Sequence, residues 1–462
     1  MNLLVAPEHL NPPPALSPSS RPYLGYALIL LGMAVCANVP ITLARDGVFR
    51  FKMLDQLLRR GSFEANKYSL YGPLAAAPLW YLGEAIGFTP QSVWMFNRIV
   101  FLATLIGLWC TLGRSIPAAE RIRFVLLLLF GSMFPWHLMF FFSEVLFVAG
   151  VGFGLTLVVL RPGWPARLGV GLAVWATANA PATTIGLALA AIVLCWQRRK
   201  LRYLLLPVAA GSLIVLENWL RRGHPLEGGY GGDAGAHTVM PYSGQPGFSY
   251  PLFFGLLAVL FSFGKGLIFF TPGLFAPYPE ADSEGVPAAE ANQARSIYQL
   301  WLAVVIGLVL VYAQWWAWYG GTVWGPRFFL FACLPAALVL ARWSARPSQH
   351  SPAANLLVLL ALTLSCWVGA DGLVYQDYSS ERLYENDFAQ EHLEWFVPEF
   401  SVLWRPFVTP RPLSWYERGE LLLFAAAYVY LARPLLRVLT RQLAQTLARV
   451  WRVARTGPRW QF

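Results

Sequence analysis

Charge is what this chain has least of. Of its 462 residues only 13% are Asp, Glu, Lys or Arg, while 57% are hydrophobic. A soluble domain carries roughly twice that charged share. No polar segment is long enough to fold by itself, and the longest interval between apolar blocks, 371–418, reads as a large loop. Cys36, Cys110, Cys195, Cys333 and Cys366 lie inside or at the edges of apolar runs and form no close pair, so neither a disulfide framework nor a zinc site is signalled. The six histidines are scattered, without H-E-x-x-H spacing. The glycines of 223–251 are not followed by G-K-[ST] and do not follow a strand, and "FGKGL" (263–267) is too short for a phosphate loop. The net charge of +11 does not point to nucleic acid, because the basic residues gather at the ends of apolar runs.

What the chain does have is a series of apolar runs near or above the ~20 residues that cross a bilayer. They predict an all-α polytopic bundle of about twelve spans. These fall near 23–43, 92–112, 121–141, 144–160, 167–180, 181–196, 202–220, 255–278, 298–316, 327–341, 353–370 and 418–432. Residues 1–22, rich in proline and serine, read as a disordered cytoplasmic tail, and the first span as an uncleaved signal-anchor. The transmembrane domain is expected over 23–432. Residues 433–462 carry Arg433, Arg437, Arg441, Arg449, Arg452, Arg455 and Arg459 with no acidic residue. Leu436, Leu439, Leu443, Leu447 and Val450 share the other face, the pattern of a helix lying on an anionic inner leaflet.

Arginine-rich turns set the orientation. "RSIPAAERIR" (114–123), "QRRKLR" (197–202) and Arg342 with Arg346 mark the cytoplasmic side, and both termini fall inside. The acidic linker 280–294 is then cytoplasmic as well, against the usual bias. Three long segments face outward: 44–91, 221–254 and 371–417. The first opens at Asp46, immediately beyond the first span. Phe49, Met53, Leu54, Leu57 and Leu58 form an apolar stripe over 49–60, which predicts a helix lying flat at the interface and ended by Gly61. "KYSLYGPLAAAPLWYLG" (67–83) predicts a second interfacial helix. By residue chemistry alone Asp46 is either the N-cap of the first helix, the commoner role, or a functional carboxylate.

Other charges lie within or beside spans. Lys265 in an apolar run costs about 2.5–3.5 kcal/mol at mid-membrane unless it is paired or near the surface. Arg98 and Glu144 read as halves of structural ion pairs, and His137 as a satisfied polar residue among helices. The second outer segment reads as a flexible loop capping a site. The third, acidic and tyrosine-rich, reads as a solvated loop with one short amphipathic helix. "WWAWYGGTVWGPR" (315–327) places four tryptophans, three glycines and one arginine between two apolar runs. The indoles are expected at the outer interface, with glycines turning the chain and Arg327 opening a span.

Taken together, these segments resemble the GT-C superfamily of polyprenyl-phosphate-dependent glycosyltransferases, in its protein mannosyltransferase and aminoarabinose transferase branch. The resemblance rests on the Asp46 loop with its two flat helices, on "WMFNRIVFLATL" (94–105), on "FSFGKGLIFFTPGL" (261–274) and on "WYGGTVWGPRFFL" (318–330). It runs from Thr42 to about Leu340. It implies that Asp46 is catalytic, that Lys265 and Arg327 bind the donor phosphate, and that Arg98, Lys67, Tyr68, Tyr71 and Trp324 contribute to substrate binding. Many members carry a second acidic residue after the aspartate, whereas this chain has Gly47.

The expected function is therefore transfer of a sugar from a polyprenyl-phosphate donor to a glycan, lipid or protein acceptor on the outer face of a bacterial cytoplasmic membrane. Asp46 would serve as general base in an inverting displacement. No cofactor is expected, and one carboxylate is thin for a divalent ion site. A transporter or flippase of lipid-linked sugars is the alternative, although no internal repeat supports it. A ligase using a lipid-diphosphate donor would need a late outer histidine, for which His392 is the candidate.

Overall fold

The computed structural model describes residues 22–44, 46–279, 288–321, 323–375 and 388–455. The N-terminal tail, most of the acidic linker, the middle of the third outer loop and the last residues of the basic tail lie outside them. Every regular element among the described residues is a helix. Eight helices are long and apolar enough to cross a bilayer: Thr89–Leu112, Ser143–Leu160, Pro181–Arg198, Leu201–Arg222, Asn292–Tyr312, Arg327–Ala345, Pro352–Val374 and Trp415–Ala448. The protein is a multi-pass helical membrane protein.

Four other expected spans are shorter helices: Pro22–Asn38, Ala118–Phe130, Trp164–Ala178 and Leu252–Phe261. The expected span 255–278 breaks into Leu252–Phe261, Leu267–Phe270 and Pro272–Phe275. Ser262, Gly264, Gly266 and Pro272 punctuate it, and glycine and proline are poor helix formers. A further departure is at the C-terminus, where Trp415–Arg455 is one helix running through Pro434. No break separates its membrane half from its basic half.

Close approach sets the helix crossing that shapes the outer end. A Cβ on Gly307 would lie 2.4 Å from the Gly186 Cα, so glycine at both positions lets Pro181–Arg198 press against Ala288–Tyr312. Thr183 and Tyr312, at neighbouring ends of these two helices, thereby meet at one cavity. At the far end of Arg327–Ala345, ~28 Å away at 1.5 Å per residue, Arg342 and Arg346 hold the buried Glu120 at 3.6 and 2.8 Å. The turns read as cytoplasmic thus converge at the opposite end from the cavity.

The 44–91 segment forms the two expected helical stretches, the first beginning three residues earlier than the expected 49–60. The first helix spans Asp46–Arg60, and Gly61 terminates it with φ +63° and an N–H to the Leu57 carbonyl. Met53 and Leu54 bury fully, whereas Phe49 remains half exposed. Tyr71–Ala75 and Ala77–Ile86 form the second helical stretch, closed at left-handed Gly87.

Candidate functional site

A cavity of about 390 Å³ lies among helix ends on the side of the bundle opposite Glu120 and its arginines. Asp46 enters from the start of the Asp46–Arg60 helix, Tyr68 from the loop behind it, Glu144 from the start of Ser143–Leu160, and Arg327 from the end of the tryptophan turn. Arg327 Nη1 donates to Asp46 Oδ2 at 2.8 Å, and the Tyr68 hydroxyl donates to Oδ1 at 2.9 Å. Both carboxylate oxygens are therefore engaged by cavity groups. Glu144 Oε1 lies 3.8 Å from Arg327 Nε.

Burial by itself would raise the Asp46 carboxyl. The Arg327 and Arg50 guanidiniums, with the Tyr68 hydroxyl, outweigh it and hold the group down to about 2. In this paired state Asp46 is a weak base.

Arg50 stands four residues after Asp46, on the same face of the helix. It is buried, lines the cavity and sits 5.1 Å over the Tyr68 ring. Its Nε and Nη1 have no hydrogen-bond partner among the described residues. A buried donor without a partner is costly, and Arg50 joins Lys67, Arg222 and Arg327 as a cation lining the cavity. No sequence motif singled out Arg50. The i, i+4 spacing from Asp46 was the signal that could have found it.

The remaining expected residues divide. Lys67 lines the cavity and pairs with Asp233 of the second outer segment at 2.5 Å. That segment also contributes Gly228, Tyr230 and Phe248 to the wall, as expected of a capping loop. Tyr71 turns away, its hydroxyl donating to the Leu213 carbonyl at 2.7 Å. Trp324 is 2% exposed and donates from Nε1 to Asp371 at 2.8 Å. Neither it nor Tyr71 lines the cavity. Trp318 is 1% exposed, while Trp315 and Trp316 form cavity wall. The tryptophan turn thus supplies packed core and cavity wall.

Arg98 also lies off the cavity, donating to the Leu138 and Ala37 carbonyls at 3.3 and 3.2 Å. It makes no ion pair among the described residues, and its role is to tie the first span to the 134–141 turn. Glu144 does pair, but at the cavity and with Arg327. His137 is buried with Nδ1 2.9 Å from the Met133 carbonyl, and His392 is half-buried and outside the cavity.

The largest departure is Lys265, expected at the donor phosphate. It is 1% exposed and does not line the cavity. Its ammonium is taken up by the Gly321, Val323 and Gly325 carbonyls and by Glu394, 3.2 Å away.

A Cβ at Gly47 would approach the Trp94 ring at 3.2 Å and the Phe141 nitrogen at 3.3 Å, so a side chain there requires these neighbours to shift by a few tenths of an ångström.

Behind Tyr68, Glu217 accepts from Ser69 Oγ at 2.8 Å and from the Leu70 N–H at 2.7 Å. Arg221 donates to the Tyr68 carbonyl at 2.7 Å. This i, i+4 pair on Leu205–Arg222, unremarked in the sequence, holds the Tyr68 loop in place. No cluster of three His, Cys, Asp or Glu side chains able to hold a metal occurs among the described residues. No protein-family model and no curated protein matches the chain.

Proposed function

We propose that this protein is an integral-membrane glycosyltransferase that takes its sugar from a polyprenyl-phosphate donor. The reading rests on one arrangement: a carboxylate paired with Arg327 beside the unfilled guanidinium of Arg50, in a cavity with polar and apolar walls. On this reading the four shorter helices complete twelve crossings. Both termini are then cytoplasmic, and the cavity opens toward the outer face of a bacterial cytoplasmic membrane.

The chemistry follows from the geometry. A donor phosphate enters beside Arg50 and competes with Asp46 for Arg327. As Arg327 turns to the phosphate, Asp46 loses the partner that depresses its pKa and becomes a better base. Asp46 then accepts the proton of an acceptor hydroxyl as that oxygen bonds to the anomeric carbon. The carbon–oxygen bond to phosphate breaks, and its electron pair leaves with the polyprenyl phosphate. One displacement inverts the anomeric centre. Charge gathers on the departing phosphate, so Arg50 and Arg327 stabilise the transition state more than the ground state.

The test is purified protein with a panel of radiolabelled polyprenyl-phosphate sugars and membrane extracts as acceptor. The expected result is loss of label from the lipid, slowed about 10²–10⁴-fold by Asp46→Asn. Translocation of intact donor between leaflets, with no label lost, would instead identify a transporter.

A further inference from the structure

The "FGKGL" segment (263–267) belongs to no wall of the cavity, yet it places a lysine among carbonyls in the protein interior. Lys265 lies between Leu252–Phe261 and Leu267–Phe270, where the expected span breaks. Its ammonium has three protons to donate. Val323 O is its nearest acceptor, with Gly325 O at 3.4 Å and Gly321 O at 3.5 Å. All three carbonyls belong to the turn that ends in Arg327. Gly320, Gly321 and Gly325 adopt φ of +81°, +80° and +66°, left-handed values that side chains resist. Such a turn has few backbone bonds of its own, Val323 N to Gly321 O and Arg327 N to Gly325 O among them.

The opposite side of the ammonium faces Glu394, on the Glu391–Phe396 helix of the third outer loop. That helix is fastened to the same place by backbone. Gly264 N donates to the Trp395 carbonyl at 3.1 Å, and a Cβ on Gly264 would lie 1.9 Å from the Glu394 carbonyl oxygen. Trp395 stacks on Tyr319 at 4.0 Å between ring centres, and the Tyr319 hydroxyl donates to Glu391 at 2.8 Å. The third outer loop, the broken 252–275 segment and the tryptophan turn thus meet at one ammonium.

We propose that Lys265 is a positioning residue: its ammonium gathers the carbonyls of the 321–325 turn and so holds Arg327 against Asp46. Lys265 touches no substrate and acts through the backbone that carries Arg327. This explains why a cation stands in an apolar segment flanked by glycines that admit the Glu391–Phe396 helix. The consequence for catalysis rests on the proposed role of Arg327, but the placement of Arg327 does not, and it can be read without any reaction.

The readout is Asp46 itself. A carbodiimide with an amine labels neutral carboxyls, and mass spectrometry of the Asp46 peptide reports the yield. With Arg327 in place and the carboxyl at about 2, roughly 0.1% is neutral at pH 5, against roughly 10% at an ordinary aspartate pKa. Arg327→Gln sets the upper level. Lys265→Met should raise the labelling rate at least tenfold toward that level. Lys265→Met with Glu394→Gln, which leaves no buried unpaired carboxylate, should do the same. Glu394→Gln alone keeps the carbonyl bonds and should stay within threefold of the unmodified protein. Labelling that stays at that level in both Lys265 variants overturns the proposal. So does an equal rise in Arg342→Met, a buried-arginine variant at the opposite end, because the effect would then be general loosening. If no glycosyl transfer is ever found, the labelling result still decides where Arg327 is held.

Discussion

Replacing Arg50 by Met should cost ligand affinity while leaving stability nearly unchanged. In the unliganded protein the guanidinium is buried with Nε and Nη1 unfilled, and no carboxylate stands within ion-pair distance among the described residues. A buried unsatisfied donor costs about 1–3 kcal/mol. The position over the Tyr68 ring returns about 0.5–1 kcal/mol. Methionine retains much of the apolar stem but removes the attraction of Arg50 for the Asp46 carboxylate, so Arg50→Met should change stability by no more than about 1 kcal/mol. Binding should suffer, because hydrogen bonds from a cation to a phosphate contribute about 1.5–3 kcal/mol. At 1.4 kcal/mol per decade that is a loss of roughly 10- to 150-fold in affinity. The assay pairs thermal unfolding in detergent with calorimetric titration of polyprenyl monophosphate, the part common to all donors of this class. A variant that melts several degrees lower and binds the lipid phosphate unchanged would show that Arg50 is a structural residue, and the anion-site reasoning would fall.

Asp46 should lend stability with a defined pH signature. Its folded pKa is depressed to about 2, so its contribution of about 2 kcal/mol is present above the unfolded value near 4 and is lost as pH falls through about 2. The gap in unfolding free energy between the protein and Asp46→Asn should therefore be flat above about pH 5 and shrink below about pH 4. Gly264→Ala should destabilise by about 1–3 kcal/mol through the clash with Glu394 O, measured as a lowered midpoint of thermal unfolding. Glu391, raised to about 7 chiefly by burial, favours its neutral form when folded. Its contribution is thus fully present below the unfolded pKa near 4.3 and declines as pH rises through about 7. Glu391→Gln should flatten that decline in a pH series of unfolding midpoints.

The sequence by itself determined the class of molecule and the two ends of the bundle. Apolar runs of bilayer length admit only helices, since the lipid offers no partner for a free backbone group, and the described elements are helical throughout. Arginine turns marked one end and Asp46 the other, because charge and hydropathy are local properties that survive folding. The Asp46–Arg60 helix with its stop at Gly61 was legible for the same reason: periodicity and a terminal glycine need no tertiary partner. Only the tertiary structure decided which charges face the cavity. Arg327 and Lys265 stand in comparable apolar–glycine surroundings, yet one reaches Asp46 across 281 positions and the other is enclosed by carbonyls 56 to 60 positions away. Arg50 and Glu144 joined the site, while Arg98, Tyr71 and Trp324 left it. Spacing along a chain records which residues share a helix face. It does not record which outer ends meet, and that is set by close crossings such as Gly186 on Gly307.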